Sequence, residues 1–335
     1  NQTGIFLGVF DGHGQGGEYY SDATMNLLFT YISKFIQNLC DFTNLKINWE
    51  NSETIENIKK SIVFGFRHTN QDLDYEKDQF GSGGSTGTVV IIFDVDNKLK
   101  IFTAGVGDSK AILGYLDQIY DIFDDNDHDP CTEKRKRLSG QYIAPCPHEN
   151  WNKPFLNCGE IAINMTRSFG DFHSVPCGLI CYPHIQFLEL DKSEISSQIN
   201  KSCIIMASDG IWEKTDNYPN YPMDTITSQI AYETFKKLKG NCIQTCYSLI
   251  QKASHNWQTK MRPINTYRDD ISIIVLNLKD YIQNSEAAPA VEAAPAVEAV
   301  PDVEAVPAVA AVPAEAVPAV EAAVEAVPAV EAAPA

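Results

Sequence analysis

The stretch IFLGVFDGHG, residues 5–14, joins an apolar run to an acidic turn. Its first six residues are continuously apolar, which is typical of a strand that is covered on both faces. Asp11 and Gly12 end the run, and His13 follows at once. A strand end is rigid, so a carboxylate placed there is held well enough to bind a metal ion. The stretch therefore predicts a buried strand that delivers a carboxylate and an imidazole to one edge of a sheet.

Two further strand-like runs carry an aspartate at one end. Asp209 follows the apolar residues 203–207, and Asp269 precedes the apolar residues 271–276. Any one of these aspartates is explained equally well by a turn, because Asp-Gly is a frequent turn signal. Hard divalent cations prefer oxygen ligands, however, and three such strand ends together with His13 favour a metal site over unrelated turns.

The remaining pattern mixes hairpin strands with long helices. Residues 89–93 and 100–104 predict a hairpin whose connection is residues 94–99. Without regular alternation of strand and helix, these elements indicate an α+β layered fold. Helical spacing of apolar residues appears at Leu28, Ile32, Phe35 and Leu39, at Ile55, Ile58, Ile62 and Phe66, and at Ile226 and Ile230.

Composition excludes several classes of protein. The 335 residues are 44% hydrophobic and 21% charged, as in ordinary globular proteins, and their net charge of -18 argues against nucleic-acid binding. Nine cysteines without a CxxC pair predict reduced thiols and no zinc site. No apolar run has the length of a membrane span, and no signal peptide is visible at Asn1. We expect a monomer in the cytoplasm or nucleus, and an N-terminal targeting signal could precede Asn1.

Residues 285–335 differ in composition from the rest of the chain. They consist almost entirely of Ala, Val, Pro and Glu, with no Lys, Arg or aromatic residue. Proline recurs every few residues, which forbids a continuous helix or a central strand. We therefore predict a folded domain over residues 1–284 and a disordered repeat tail over residues 285–335. The tail is either a spacer or partner-binding arm, or a repeat without a specific role.

Seven sequence blocks, in order, resemble the metal-dependent protein serine/threonine phosphatases of the type 2C family. The match covers nearly all of residues 4–278, and seven ordered blocks are far more specific than any one of them. Lys110 stands where the family usually has Arg. The blocks are residues 8–14 (GVFDGHG), 84–86 (GST), 104–111 (AGVGDSKA), 127–130 (DHDP) with Glu133 and Arg137, 166–171 (TRSFGD), 207–213 (ASDGIWE) and 268–272 (RDDIS).

The resemblance implies a fold and a cofactor. The fold would be a β-sandwich of two antiparallel sheets flanked by α-helices, in four αββα layers. The cofactor would be Mg2+ or Mn2+, as two ions with a third, weaker one. Asp11 would bridge two ions, the carbonyl of Gly12 would complete one of them, Asp209 and Asp269 would hold the other, and Asp127 with Asp209 would hold the third.

The resemblance also implies a reaction on phosphoserine and phosphothreonine in phosphoprotein substrates. A water activated by the cations at Asp11 would attack phosphorus. His13 would protonate the departing oxygen as general acid. Asp270 would be a neighbour of the ligands. Asp108 and Asp171 are expected to be structural. Residues 172–191 are expected to form a mobile flap beside the site.

One departure from the family concerns the start of the chain. The family has an Arg that binds phosphate and a Glu that ligates metal upstream of the DGH block, and residues 1–10 contain neither. We therefore expect an N-terminally truncated domain that lacks one strand and is not fully active alone.

Three alternatives remain open. A pseudophosphatase would bind partners through the same surface without catalysis. A haloacid-dehalogenase-type phosphatase would use Asp94, because residues 94–96 (DVD) follow an apolar strand. A polar hairpin turn explains these residues equally well. A scaffold would act through residues 285–335, and deleting them would then abolish function.

Overall fold

Two antiparallel sheets of four strands organise the part of the chain that the computed structural model describes, residues 3–40, 46–124, 143–144, 155–158, 161–198, 200–212, 226–260 and 269–287. In chain order the strands are β1 (Thr3–Val9), β2 (Gly12–His13), β3 (Gly84–Ser85), β4 (Gly87–Val95), β5 (Lys98–Val106), β6 (Lys110–Tyr115), β7 (Gln118–Phe123), β8 (Ile143–Ala144), β9 (Phe155–Cys158), β10 (Ile161–Ile163), β11 (Phe169–Gly170), β12 (His184–Asp191), β13 (Cys203–Ala207) and β14 (Ile273–Asn277). The α-helices are α1 (Gly17–Gln37), α2 (Thr54–Phe80), α3 (Lys192–Ser197), α4 (Asp209–Trp212), α5 (Ser228–Lys237), α6 (Cys242–Lys260) and α7 (Leu278–Ala287), and a 3-10 helix spans Phe172–Cys177.

The first sheet has the strand order β1-β4-β5-β12. Its centre is the hairpin of β4 and β5, which confirms the predicted hairpin, although only residues 96–97 separate the two strands. β1 runs antiparallel to β4, so that Thr3 faces Asp94 and Val9 faces Thr88. Asp94 and the end of β1 that precedes Asp11 therefore lie at opposite ends of the sheet.

The second sheet has the strand order β14-β13-β6-β7. β13 has the predicted bounds, and β14 begins two residues later than predicted. Because β13 and β14 are antiparallel, Ala207 at the end of β13 faces Ile273 at the start of β14. The segments that carry Asp209 and Asp269 therefore meet at one edge.

Three apolar layers hold the sheets and helices together. Between the sheets, Val90, Ile92 and Ile101 of the first sheet pack with Leu113 and Met206 of the second. The outer faces are covered by helices, which gives four layers and confirms the α+β sandwich. The outer layer on the first sheet includes Val89 and Phe102 with Leu28, Ile32, Ile62 and Phe66 of α1 and α2, and that on the second includes Ile205 and Ile112 with Tyr232, Phe235, Leu249 and Ala253 of α5 and α6.

The predicted flap over residues 172–191 is wrong in its second half. His184–Asp191 is β12, which pairs along its whole length with β5. Four of the six residues in IQFLEL, residues 185–190, are apolar, and a short apolar run of this kind is a strand signal that the flap interpretation overlooked. The 3-10 helix Phe172–Cys177 occupies the first half.

Smaller differences concern helix ends, cysteines and the tail. α1 ends before Leu39, and α5 begins after Ile226. α7 was not predicted, and it includes residues 285–287 of the predicted tail. Cys177 is disulfide-bonded, contrary to the expectation of reduced thiols, because sequence spacing does not reveal which cysteines a fold brings together. The rest of the predicted tail lies outside the described residues.

Among the described residues, no helix combines the length and the hydrophobicity that crossing a membrane demands.

Candidate metal centre

Three carboxylates converge at one end of the sandwich. Asp11, Asp209 and Asp269 each place a carboxylate oxygen within 4.8 Å of the others, and all three side chains are half-buried. They come from three segments that are far apart in sequence but adjacent at the ends of β1, β13 and β14. Three carboxylate oxygens at this spacing form a donor set that suits a hard divalent cation.

The backbone of Asp11 is held by the Gly-Ser-Thr block at residues 84–86. The Asp11 amide donates to Thr86 Oγ1 at 3.1 Å, and the Thr86 amide donates to the Asp11 carbonyl at 2.9 Å. Ser85 Oγ donates to the same carbonyl at 3.2 Å. Thr86 Oγ1 in turn lies 2.9 Å from Ser109 Oγ, beside Asp108. Three of the sequence blocks therefore fix the position of one carboxylate.

Ser208 joins the Asp209 segment to the Asp269 segment. Its amide donates to the Ser272 carbonyl at 3.0 Å, and its hydroxyl accepts from the Ser272 amide at 3.0 Å. The same hydroxyl donates to the Asp270 carbonyl at 3.1 Å. The carboxylates of Asp209 and Asp269 repel each other. The hydrogen bonds of Ser208 hold the two segments together in spite of this repulsion.

Two tryptophans support the turn that begins at Asp209. Trp212 Nε1 donates to the Ala207 carbonyl at 3.0 Å, and Trp257 Nε1 donates to the Gly210 carbonyl at 3.0 Å. Both indole rings are buried. The carboxylate of Asp209 therefore stands on a turn that is anchored both to its own strand and to α6.

The glycines after the first two aspartates permit close approach of other backbone segments. A Cβ on Gly12 would lie 2.1 Å from the Gly17 carbonyl oxygen, and a Cβ on Gly210 would lie 2.1 Å from the Asp270 carbonyl oxygen. Any side chain at either position would push these segments apart.

Mutual repulsion of the carboxylates is visible in the pKa of Asp11. Burial, followed by the charges of Asp269 and Asp108, raises the pKa of Asp11 to about 7, with a smaller contribution from Asp270 and an opposing one from His13. Concentrated negative charge of this kind is what a divalent cation would neutralise. The residues present therefore fit a hard divalent cation. Asp108, expected to be structural, lies close enough to add to this charge.

His13 lies beside the carboxylates and contacts another acid. Its Nε2 donates to Asp171 Oδ2 over 2.7 Å. Burial opposes a charge on the ring, but the charge and hydrogen bond of Asp171 outweigh it, so that the pKa of His13 is raised. Sequence reasoning missed this contact, because the two residues are 158 positions apart and neither block indicates which other block it meets.

The other sequence-predicted residues have mixed outcomes. Asp127, the predicted ligand of the third ion, lies outside the described residues. Asp270 is exposed, and its amide donates to Asp269 Oδ1 at 3.0 Å. Lys110 Nζ contacts Asp124 at 2.7 Å and Asp121 at 3.0 Å, so it supports β7.

Comparison with known proteins identifies relatives of the chain. The family model described as Protein phosphatase 2C matches residues 1–231, a range that includes Asp11, His13 and Asp209 but not Asp269. The chain is 27% identical to Probable protein phosphatase 2C 34 of Arabidopsis thaliana, over 86% of the chain and 75% of the relative. It is 22% identical to Probable protein phosphatase 2C 75 of Oryza sativa subsp. japonica, over 83% of the chain and 66% of the relative.

A solved structure shares the fold. The serine-threonine phosphatase 2C from Toxoplasma gondii superposes with a TM-score of 0.56 at 17% identity, over 81% of the chain and 84% of that structure. At this identity the similarity concerns the fold, and the site must be argued from its own residues.

Proposed function

This chain belongs to the protein phosphatase 2C family, and we propose that it hydrolyses phosphoserine and phosphothreonine in proteins with a water molecule activated by divalent cations. The observation that carries the proposal is the convergence of Asp11, Asp209 and Asp269 within 4.8 Å. A cluster of this kind is costly to build without a cation, and here it is held by hydrogen bonds from the surrounding backbone.

The carboxylates would hold Mg2+ or Mn2+, as two ions and a third, weaker one. When bound, such cations acidify coordinated water and neutralise phosphoryl oxygens. Asp11, Asp209 and Asp269 would hold the two principal ions together with the Gly12 carbonyl. Asp127 would serve the third ion.

His13 would supply the proton that the leaving group needs. A seryl or threonyl oxygen is a poor leaving group, and a positioned acid accelerates its departure by about 10² or more. The imidazole adjoins the carboxylates, and although burial opposes its charge, the charge and hydrogen bond of Asp171 raise its pKa, which favours the protonated form that an acid needs.

The position of Asp94 favours this mechanism over one with an aspartate nucleophile. Asp94 lies opposite Thr3, whereas Asp11 follows the other end of β1. Its carboxylate is paired with Lys192 and accepts a hydrogen bond from Ser285 Oγ at 3.0 Å. A carboxylate occupied in this way is a structural link between β4, α3 and α7.

The extent of the catalytic domain is part of the proposal. We expect it to comprise residues 1–284 with the rest of α7, and residues beyond it to serve as a tail. The upstream Arg and Glu of the family, the monomeric state and the cytoplasmic or nuclear location stay predictions.

The decisive experiment measures hydrolysis of a phosphothreonine peptide and of para-nitrophenyl phosphate with EDTA, Mg2+ or Mn2+. We expect turnover that needs the cation and falls more than about 100-fold in Asp209→Asn, because even neighbours of metal ligands are worth about 10- to 100-fold. Asp94→Asn, the same change at the far end of the sheet, should retain turnover. If the folded chain binds Mn2+ but hydrolyses neither substrate, even when it is extended at its N-terminus, the result would instead support the pseudophosphatase.

A further inference from the structure

A buried carboxylate outside the metal cluster contacts the ring of His13. Asp171 Oδ2 accepts the hydrogen bond of His13 Nε2 at 2.7 Å, and it accepts a second one from Ser168 Oγ at 2.5 Å. The side chain of Asp171 is 7% exposed, whereas that of His13 is 29% exposed. The carboxylate is therefore enclosed, while the imidazole that it contacts remains accessible from the site.

The backbone of Asp171 is constrained in an unusual conformation. Its φ of 46° lies in the left-handed region, where Asp and Asn are the side chains most readily tolerated. The Asp171 amide donates to the Gly83 carbonyl at 3.0 Å, and the Asp171 carbonyl accepts from the Ser174 amide at 2.8 Å. This geometry turns the carboxylate back toward His13 at the start of the 3-10 helix.

A small three-stranded sheet brings the two side chains together. Its order is β11-β3-β2, so that Gly84 pairs with His13 on one side and with Gly170 on the other. A Cβ on Gly84 would lie 2.2 Å from Asp171 Oδ2. Glycine at this position therefore leaves the space through which the carboxylate reaches the ring.

The bond to Asp171 also distinguishes the two ring nitrogens of His13. Nε2 is used by the carboxylate, and Nδ1 has no hydrogen-bond partner among the described residues. When one nitrogen of an imidazole is hydrogen-bonded to a carboxylate, only the other nitrogen can form a hydrogen bond to a ligand. The bond to Asp171 therefore leaves Nδ1 as the ring nitrogen that is available to a ligand.

We infer that Asp171 is the positioning residue of His13 and that it presents Nδ1 to the oxygen that leaves phosphorus. The inference rests on the proposed phosphatase function. In the step concerned, the water oxygen gives up a proton to solvent as it forms a bond to phosphorus, and the bond from phosphorus to the seryl or threonyl oxygen breaks. The departing oxygen keeps the electron pair and takes the proton from Nδ1. Solvent then returns a proton to Nδ1. The products are inorganic phosphate and the free hydroxyl.

The test compares two substrates that differ in their need for an acid. A phosphothreonine peptide releases a poor leaving group, whereas para-nitrophenyl phosphate releases a good one that departs without protonation. We expect Asp171→Asn to lower kcat on the peptide by about 10²-fold, the range of a lost general acid, and to leave kcat on the nitrophenyl ester almost unchanged. Asparagine tolerates the left-handed φ, so the loop should keep its conformation.

Two reference variants separate the inference from the proposed function. His13→Ala should show the same dependence on the leaving group; if it does not, the acid role in the proposed function fails. Asp94→Asn removes the charge of another buried, ion-paired aspartate, and it should change kcat on neither the peptide nor the nitrophenyl ester. If His13→Ala shows the dependence and Asp171→Asn lowers both substrates equally or neither, Asp171 is merely structural and the inference is overturned.

An independent measurement requires no turnover. In the metal-free, nitrogen-labelled chain we expect an imidazole signal with the proton on Nε2, at the low field of a hydrogen bond to a carboxylate. This signal should move to higher field in Asp171→Asn and remain in Asp94→Asn. A His13 signal that is identical in wild type and Asp171→Asn would overturn the inference even for an inactive chain.

Discussion

At the scale of single residues, the protons of Asp11 and His13 couple the metal centre to folding. Unfolded Asp11 titrates near 3.8, and in the fold its pKa is raised to about 7, so between these values the folded state holds a proton that the unfolded state has lost. The pKa of His13 is also raised, so the stability that its charged form contributes is present below its unfolded pKa and lost as the pH rises through the folded one. Both effects make the fold less stable toward higher pH.

We therefore predict that the free energy of unfolding of the metal-free chain falls between about pH 4 and about pH 7, as measured by urea denaturation in EDTA. Mn2+ should restore stability most at the higher pH, since the cation replaces the proton of Asp11. Asp11→Asn, which cannot titrate, should show a shallower fall. An equal slope in wild type and variant would contradict the pKa assignment.

The residues that sequence reasoning identified are those that local pattern marks. Asp11 and Asp209 stand directly after apolar strands, and Asp269 stands just before one, so a continuous apolar run that ends at an aspartate suffices to mark them as candidates. Asp171 carries no such mark, because its importance depends on a ring 158 residues away. Long-range partners of this kind are set by tertiary packing.

At the scale of elements, α6 supports the turn that follows the end of β13. Trp257 lies on this helix, and its indole bonds the Gly210 carbonyl, one residue after Asp209. β13 was predicted with its bounds because five apolar residues in a row leave little choice. The contact of α6 with this turn was not predicted, because an apolar helix face indicates burial but not which element the helix packs against.

Trp257→Phe tests this support. It retains a buried aromatic ring but leaves the Gly210 carbonyl without its donor, so we expect the free energy of unfolding to fall by about 1–3 kcal/mol. Calorimetric titration should also show Mn2+ affinity reduced about 10-fold, as for the loss of a group behind a metal ligand. Tyr247→Phe, on the exposed side of the same helix, is the matched control. Unchanged Mn2+ affinity in Trp257→Phe would mean that the strand end alone fixes Asp209.

At the scale of the whole molecule, the pattern of strands and helices predicted a layered α+β fold and the family resemblance implied the sandwich, whereas neither predicted the last helix. The sequence predicted a domain over residues 1–284, since low complexity begins at residue 285. α7 instead runs from Leu278 to Ala287, with Leu278 and Ile282 in the core between the sheets. A short helix beside an Ala-rich repeat cannot be separated from it by composition, because alanine suits both.

The position of α7 leads to a prediction about truncation. Deleting residues 291–335 removes eight acidic and no basic residues but no described element, so we expect the melting temperature and the turnover of para-nitrophenyl phosphate to stay the same. Deleting residues 278–335 also removes two buried side chains and the hydrogen bond from Ser285 to Asp94, and it should lower stability by several kcal/mol, at about 2–5 kcal/mol for each large buried side chain that is lost. Thermal unfolding of the two truncations and the full chain separates these cases. Equal melting temperatures for all three would show that α7 contributes nothing to the core, and a loss of turnover in the shorter deletion would give the tail a role in catalysis.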